Sequence, residues 1–300
     1  MRLSSLLLIV VALAMAVSLV CIWFYPSIQD FMESNMMWNG LRKFSSEFGA
    51  VNIPSLEELP ESPEEAVLVT IPNLPYGDEE LSKLRRFVTD GGTLLLLDDY
   101  GYGNSLLAYF GIGVRFTSKP LLDPLFCYKN QYMPRITDFK PGVKESGIDV
   151  IVLNHATSLT GVAEEQAMAW SSTTSFLDTN ESGTWEEDEP KGPLVIAAEL
   201  RLGQGTLRLV SDSSIVINTM FARDKNKQFV EYLTRRQDET KSILVDNSRL
   251  VKAPLDTSKE KVMRARETLS NPYTLLGIIA AIFAVVFRFT LTKGETIARH

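Results

Sequence analysis

Cysteine and histidine are almost absent from this 300-residue chain, which has two of each. Cys21 lies inside an apolar run near the start and Cys127 stands alone in the central region, so a central domain has no disulfide. The histidines are His155 and the terminal His300, which leaves no Cys/His ligand set for zinc. The sequence therefore predicts neither a disulfide framework nor a metal site, and we expect no cofactor.

A run of basic residues is also missing. The chain has 30 Lys and Arg against 37 Asp and Glu, which gives a net charge of −7. Nucleic-acid-binding proteins concentrate positive charge to neutralise phosphates, so this composition argues against a nucleic-acid partner. With 22% charged and 45% apolar residues, the chain has the composition of a folded protein with a sizeable core.

Two long apolar runs are present, at residues 3–25 and at residues 272–287. Each can reach the length of about 20 residues that a membrane-spanning helix needs, the second if Arg288 at its end snorkels to the interface. A buried core helix is the alternative for the second run. Acidic Asp30 and Glu33 after the first run favour an extracytoplasmic domain. The sequence thus predicts a two-span membrane protein with the lipid bilayer as a partner. Its predicted parts are a signal anchor (1–27), a soluble α/β domain (28–250), a charged helical linker (251–270), a second span (271–292) and a tail (293–300).

Between these runs, strands and helices alternate. Ala66–Ile71 and Thr93–Leu97 are continuous apolar runs typical of strands that are covered on both faces. Between them, Asp78–Asp90 carries one apolar stripe and ends at Gly91, which predicts a helix. This alternation predicts a three-layer α/β domain with a mostly parallel sheet. Further predicted elements are helices over 32–48, 104–110, 214–221, 225–235 and 259–270, strands over 50–53, 114–116, 149–153 and 243–245, and a hairpin over 194–200 and 206–210.

Polar residues follow two of the predicted strands. Asp98 to Asn104 follows the strand at 93–97, and Ser211 to Ser214 follows the strand at 206–210. Ligands bind at the carboxyl ends of parallel strands in such folds, which makes these segments a candidate ligand-binding site. The alternative is that these residues only cap helices and fix turns. The candidate ligand-binding residues are Asp99, Tyr100, Gly101, Gly103, Asn104, Asp212 and Ser213.

Neither segment supplies a complete catalytic set. A Ser–His–Asp system needs a histidine, and His155 fits a structural role better. Asp98 and Asp99 are adjacent on a strand, so their side chains point to opposite faces and cannot form a dyad. The Gly101-Tyr-Gly103 segment lacks the lysine of a phosphate loop and the third glycine of a dinucleotide loop. We therefore predict no catalytic residues.

Several separated motifs occur here in a recognisable order. They are Trp38-Asn39-Gly40, Gly91-Gly92-Thr93, the turn Asp99-Tyr-Gly-Tyr-Gly-Asn104, and Gly205 followed by Ser211-Asp212-Ser-Ser and Asn218. Together they resemble the domain of unknown function 4350 family of prokaryotic, often archaeal, membrane proteins. That family is similar to the class I glutamine amidotransferase-like fold, which implies a flavodoxin-like sheet. Such amidotransferases carry Gly-x-Cys-x-Gly, and Gly101 stands at the nucleophile position, so amidotransferase activity is not expected.

The resemblance also implies partners. Genes of that family often stand beside MoxR-type AAA ATPases, which implies membership of a membrane assembly. The leading functional prediction is a membrane-anchored, non-catalytic α/β domain that binds a ligand or a partner. The alternatives are a hydrolase on the amidotransferase-like scaffold with an unidentified active site, and a purely structural subunit.

Overall fold

The computed structural model describes residues 3–234, 241–280 and 283. The chain divides into two compact units, of which one is the domain Pro26–Val251. The other consists of Met1–Tyr25 together with Lys252–His300.

Helices and strands are numbered in chain order. The helices are α1 (Leu3–Phe24), α2 (Arg42–Phe48), α3 (Asp78–Thr89), α4 (Asn104–Tyr109), α5 (Pro141–Glu145), α6 (Asn226–Thr234) and α7 (Pro254–Ser270). The strands are β1 (Val51–Ile53), β2 (Ala66–Thr70), β3 (Thr93–Leu97), β4 (Arg115–Phe116), β5 (Leu121–Leu122), β6 (Arg135–Ile136), β7 (Asp138–Phe139), β8 (Ile151–Val152), β9 (Leu159–Thr160), β10 (Ala167–Trp170), β11 (Phe176–Leu177), β12 (Val195–Leu202), β13 (Gly205–Val210) and β14 (Ser242–Asp246). Short 3₁₀ turns cover Leu56–Glu58, Pro63–Glu65 and Ser213–Val216.

The structure corrects the predicted membrane architecture. Within the part of the chain that it describes, no helix combines the length and the apolar character needed to cross a bilayer. Helix α7 carries Lys, Arg and Glu along its length, and beyond it a continuous helical stretch is described only over 272–280. The rest of the predicted second span and the tail fall largely outside the described residues. The finding overturns the two-span prediction, the membrane localisation and the extracytoplasmic placement of the domain.

One ten-stranded sheet organises the domain. Its main order is β1-β14-β2-β3-β13-β12-β10-β7, and the first five of these strands run parallel to their neighbours. The hairpin β12–β13 then reverses the direction, so that β12, β10 and β7 pair antiparallel. The short strands β9 and β4 extend the sheet beside β12. The predicted α/β fold with a mostly parallel sheet is confirmed.

Apolar side chains cover both faces of the parallel strands. On one face Leu84 of α3 packs in a cluster with Leu94 and Leu96 of β3, and on the other Phe229 of α6 lies in the cluster that contains Leu95. All of these side chains are fully buried. Strand β3 therefore reads as an unbroken apolar run because each of its faces meets a hydrophobic layer. The predicted helix over 78–90 is confirmed as α3.

Two predicted helices are shorter than expected. The helix predicted over 32–48 begins only at Arg42, because the side chain of Asn35 bonds the backbone of Gln29 and Met37 and holds the preceding segment as a loop. The helix predicted over 214–221 is only the 3₁₀ turn Ser213–Val216. The strand predicted over 149–153 is β8, which pairs with β6 in a separate two-stranded sheet.

Candidate functional site

The carboxyl ends of β3 and β13 lie side by side. The two strands are parallel, with Leu97 opposite Val210, and the backbone N–H of Asp98 donates to the carbonyl of Val210 at 3.1 Å. The chain then leaves both strands at the same edge of the sheet. The segment that starts at Asp98 is thereby placed beside the segment that starts at Ser211.

Asp99 and Ser213 connect these two segments. The Ser213 hydroxyl donates to Oδ1 of Asp99 at 2.8 Å. Burial raises the pKa of Asp99 to about 6, the hydrogen bond from Ser213 opposes that rise, and the nearby charge of Asp98 adds to it. The Asp99 carboxylate therefore changes charge close to neutral pH.

Both residues line a cavity of about 360 Å³, which we call the strand-end cleft. Three exposed aromatic rings, those of Trp38, Tyr100 and Tyr102, contribute to its wall. The Tyr100 and Tyr102 ring centroids are 6.3 Å apart. The acidic lining residues are Asp30 and Asp99, and the described lining contains no Lys or Arg. The remaining lining residues are Phe31, Asn39, Asn73, Asn154, His155, Ser213, Ser214, Ile217 and Val251.

Asn218 donates several of the hydrogen bonds that fix the loop carrying Trp38. Nδ2 of Asn218 donates to the carbonyls of Asn35 at 3.1 Å and Met37 at 2.6 Å, and its backbone N–H donates to the carbonyl of Gly40 at 2.8 Å. A Cβ on Gly40 would stand 1.9 Å from the Asn35 carbonyl oxygen, so only glycine fits there. Trp38 is thus presented on a tightly bonded loop although its side chain is exposed.

His155 enters the cleft from the segment after β8. Its backbone has φ of 56°, a left-handed conformation that is uncommon for a residue other than glycine. Its ring stacks on that of Tyr132, with centroids 5.1 Å apart and an interplanar angle of 24°. The stacking fixes the imidazole at the rim of the cleft.

Asp98 organises the turn and does not line the cleft. Its carboxylate accepts from the backbone N–H groups of Tyr100 and Gly101, both at 2.9 Å, and of Gly103 at 2.6 Å. Burial raises the pKa of Asp98, and these three hydrogen bonds oppose the rise. Adjacent residues at a strand end are expected to point to opposite faces. Accordingly, the Asp98 carboxylate bonds the backbone of the turn, whereas the Asp99 carboxylate lines the cleft.

The two glycines of the turn are needed for its geometry. Gly101 has φ of +90°, and a Cβ there would lie 2.0 Å from Oγ of Ser118. A Cβ on Gly103 would come within 2.9 Å of the Leu96 side chain. Neither glycine lines the strand-end cleft.

Asn104 joins the turn to β4. Its Nδ2 donates to the carbonyl of Phe116 and its Oδ1 accepts from the N–H of the same residue, both at 2.9 Å. The amide therefore pairs with β4 as a neighbouring strand would. Asn104 lies outside the lining of the cleft.

Asp212 is fully buried below the cleft. It accepts from the backbone N–H groups of Asn154 at 2.9 Å and Ser214 at 2.7 Å, which ties the segment after β8 to the 3₁₀ turn after β13. Burial raises the pKa of Asp212 well above its ordinary value, and the charge of Asp99 adds to the effect. Its carboxyl group acts as a cap and a cross-link.

Of the sequence-predicted candidates, the structure brings Asp99, Tyr100 and Ser213 together around the cleft. It places Gly101, Gly103, Asn104 and Asp212 in the scaffold around that cleft. Sequence reasoning did not predict that other loops contribute residues to the cleft wall. The Trp38-Asn39-Gly40 motif was the sequence feature that pointed to one of these loops. Within the described residues, no cluster of three or more His, Cys, Asp or Glu side chains could hold a metal ion. The lining residues outside the predicted candidates are Asp30, Phe31, Trp38, Asn39, Asn73, Tyr102, Asn154, His155, Ser214, Ile217 and Val251.

Solved structures similar to this chain share little sequence with it. The N-terminal domain of mmIFT52 is 12% identical, with 70% of this chain and 95% of that chain covered and a TM-score of 0.49. A β-galactosidase from Bacillus circulans sp. alkalophilus is 14% identical, with coverage of 57% and 22% and a TM-score of 0.36. The exo-β-1,4-mannosidase Op5Man5 from Opitutaceae bacterium strain TAV5 is 11% identical, with coverage of 62% and 25% and a TM-score of 0.30.

No curated protein matches the sequence. A family model does match it, that of the domain of unknown function DUF4350, over residues 34–234. The matched region includes β2, β3, β13 and both segments that meet at the strand-end cleft. Since it covers about two thirds of the chain, this protein belongs to the DUF4350 family.

Proposed function

We propose that this domain binds a small organic cation in the strand-end cleft, without catalysing a reaction. The observation that carries the proposal is the composition of the cleft wall: two carboxylates, three exposed aromatic rings and, among the described lining residues, no Lys or Arg. A cavity of about 360 Å³ lies at the lower end of the range of small-molecule sites.

The carboxylates give the cleft its preference for positive charge. Asp99 lies at the end of β3 and is held there by Ser213, with a pKa of about 6 that leaves it mostly ionised at pH 7.5. Asp30 is oriented by a hydrogen bond from Nδ2 of Asn39. An ammonium group would donate to these carboxylates in charge-assisted hydrogen bonds.

The aromatic rings favour an organic cation over a metal ion. The faces of Trp and Tyr attract ammonium groups through the ring quadrupole, and they add apolar contact with the carbon atoms of the ligand. Hard metal ions require several oxygen ligands in a compact shell. The cleft offers two carboxylates among aromatic rings, which matches an amine or a quaternary ammonium compound better.

Calorimetric titration with hexylamine tests this proposal, with hexanol as the uncharged analogue. We expect hexylamine to bind and hexanol to bind at least about tenfold more weakly, because only the amine gains the charge-assisted hydrogen bonds. Asp99→Asn should weaken hexylamine binding by a similar factor. Asp138→Asn, which alters an exposed carboxylate outside the cleft, is the matched control and should leave binding unchanged. Equal binding of amine and alcohol would refute the proposal.

The finer description of the fold belongs to the same proposal. We place the domain among flavodoxin-like sheets of the amidotransferase-like kind, supported by the parallel order β1-β14-β2-β3-β13 and by a cleft at the carboxyl edge. Gly101 stands where the amidotransferase nucleophile would be, which supports binding over amide transfer. An AAA ATPase partner stays a prediction.

A hydrolase is the second candidate, and the hydrogen bond between Ser213 and Asp99 favours it. A carboxylate with a pKa of about 6 can accept a proton near neutral pH, and His155 lines the same cleft. A hydrolase of this kind would release p-nitrophenol from p-nitrophenyl acetate at a rate that Ser213→Ala abolishes. A binding domain would show only a background rate of p-nitrophenol release, and that rate would be the same in the parent protein and in the Ser213→Ala variant.

A further inference from the structure

A second cavity lies next to the strand-end cleft. It has a volume of about 260 Å³ and shares Trp38, Asn154 and Ile217 with the cleft. We call it the basic pocket, since Lys129 and Arg223 are its charged lining residues. Its other lining residues are Tyr128, Met133, Thr219 and Met220.

The guanidinium of Arg223 is positioned at the wall of this pocket. Its Nη1 donates to the Tyr128 hydroxyl at 2.9 Å, its Nε donates to the Thr219 carbonyl at 3.1 Å, and its Cζ lies 5.2 Å from the Tyr128 ring centroid. Arginine has about five N–H donors, so these two bonds leave donors for a ligand. The ammonium of Lys129 lies 5.7 Å from the same ring centroid.

In the described part of the chain, the two basic side chains of the pocket form no close ion pair. Among the described residues, neither Lys129 nor Arg223 has a carboxylate oxygen within 4.0 Å. Arg135 is different: it also stands over the Tyr128 ring, at 5.6 Å, but pairs with Asp224 at 3.5 Å and does not line the pocket. Two adjoining cavities of opposite charge therefore meet at the Trp38 side chain.

We propose that the strand-end cleft and the basic pocket form one site for a bipolar small molecule, with an ammonium group at one end and a carboxylate or phosphate at the other. This inference rests on the proposed function, because it assigns the ammonium end to Asp99 and Asp30. The new element is the anionic end, which Arg223 and Lys129 bind. Guanidinium groups suit this role because their planar donors match the oxygens of carboxylates and phosphates.

Trp38 and Ile217 explain how the two ends are joined. Both line the two cavities, and both are apolar, so they favour methylene or aromatic groups in the middle of the ligand. A ligand with only a negative charge would be repelled by the carboxylates of the cleft. A ligand with only a positive charge would gain nothing from the basic pocket. The bipolar ligand is the one that uses every charge along the two cavities.

Titration with a matched set of six-carbon compounds tests the inference. The probes are 6-aminohexanoate, hexylamine, hexanoate and 6-aminohexyl phosphate. We expect 6-aminohexanoate or 6-aminohexyl phosphate to bind about tenfold more tightly than hexylamine, because each of them adds one charge-assisted contact in the basic pocket. The tighter of the two identifies the anionic group, and hexanoate should bind most weakly.

Variants assign that gain to the basic pocket. Arg223→Gln should reduce the binding of the bipolar probe to the level of hexylamine and leave hexylamine unchanged. Lys129→Gln, at an exposed residue, should remove part of the gain without any effect on folding. Arg135→Gln is the matched control, and should retain the gain because Arg135 is outside the pocket lining.

The outcomes separate this inference from the proposed function. If hexylamine binds and neither bipolar probe binds more tightly, or if Arg223→Gln and Lys129→Gln both retain the full gain, the inference is wrong and the proposed function stands. If none of the amines binds, both are wrong.

Discussion

Two polar clusters lie at the carboxyl edge of the parallel sheet, and they differ in how completely their carboxylates are bonded. In the first, Asp246 at the end of β14 accepts from the Tyr76 hydroxyl at 2.6 Å, from Thr70 Oγ1 at 3.3 Å and from the N–H of Ser248 at 2.8 Å. In the second, Asp99 accepts from Ser213 and faces a cavity. The chemistry is similar, a carboxylate with a hydroxyl donor.

The difference lies in what remains available to a ligand. Tyr76 is buried, burial and the nearby charge of Asp246 raise the pKa of its hydroxyl well above the ordinary value, and the Arg249 guanidinium stacks on its ring at 5.5 Å. This first cluster, formed by Thr70, Tyr76 and Asp246, therefore has a structural role. Asp99 retains unused acceptor capacity toward an open cavity. A carboxylate at a strand end thus indicates a ligand site only when its hydrogen bonds are incomplete and space adjoins it.

Asp246→Ala tests the structural side of this comparison and should have the largest effect. We expect the free energy of unfolding to fall by about 3–4 kcal/mol, because the buried hydroxyls of Tyr76 and Thr70 lose their acceptor. Denaturant titration measures the loss, and Asp246→Asn, which keeps one acceptor oxygen, should lose less. Hexylamine binding should not change. A loss below about 1 kcal/mol would show that the cluster contributes little to stability.

The raised pKa of Asp99 predicts how stability depends on pH. Because its pKa rises from 3.8 unfolded to about 6 folded, protonation favours the folded state, and the stabilisation present at low pH is lost as the pH rises through 4 to 6. Asp99→Asn avoids this loss, so its stability relative to the parent should increase from pH 4 to pH 7, by at most about 3 kcal/mol.

Urea unfolding of both proteins at several pH values measures this difference. The Asp98 and Asp212 carboxyls, whose pKa values burial also raises, are present in both proteins. Because the charge of Asp99 adds to the raised pKa of Asp212, the pH-dependent difference reports Asp99 together with its effect on that neighbour. Amine binding by the parent should weaken as the pH falls through about 6. A stability difference that does not vary with pH would contradict the assignment of the raised pKa to Asp99.

Gly101→Ala tests whether the turn beside Asp99 tolerates a side chain at this position. We expect a loss of about 2 kcal/mol in stability, since alanine would adopt φ of +90° and meet Oγ of Ser118. Thermal unfolding provides the measurement. The double variant Gly101→Ala with Ser118→Ala should recover part of the loss, because it removes the clash and keeps the backbone strain. A single variant as stable as the parent would contradict the turn geometry.

The smallest effect concerns the ring of Tyr100, which is 70% exposed at the cleft. Tyr100→Ala should weaken hexylamine binding by about two- to fivefold, since a cation–π contact at an exposed site contributes about 0.5–1 kcal/mol. Tyr100→Phe keeps the ring face and should bind almost as the parent does. Calorimetry distinguishes the two variants. Equal affinities for the Ala and Phe variants would exclude the ring from the site.

Hydrophobic pattern was enough to predict the elements that form the centre of the fold. Strands β2 and β3 and helix α3 follow from unbroken apolar runs and a single helical stripe, and the β12–β13 hairpin follows from the glycines between its strands. These signals are local. The meeting of the β3 and β13 ends was also within reach, because parallel strands bring their carboxyl ends to one edge.

The division of roles among the polar residues was not within reach of sequence. Asn104 and Asp212 were candidates for ligand contact, yet the first pairs with Phe116 and the second bonds the backbone of Asn154, which is 58 residues away in the chain. Trp38 and His155 reach the cleft through loops whose paths depend on such long-range bonds. Capping and binding use the same residue types, so only tertiary structure separates them.

The hydrogen bonds of Asn218 also have a kinetic consequence. They join the Trp38 loop to a residue 181 to 183 positions later, so the wall of the cleft cannot form until most of the domain has been synthesised and collapsed. Contacts of such separation form slowly because loop closure must precede them. The appearance of ligand binding during refolding should therefore follow the formation of the sheet, and it would report when the complete topology has been reached.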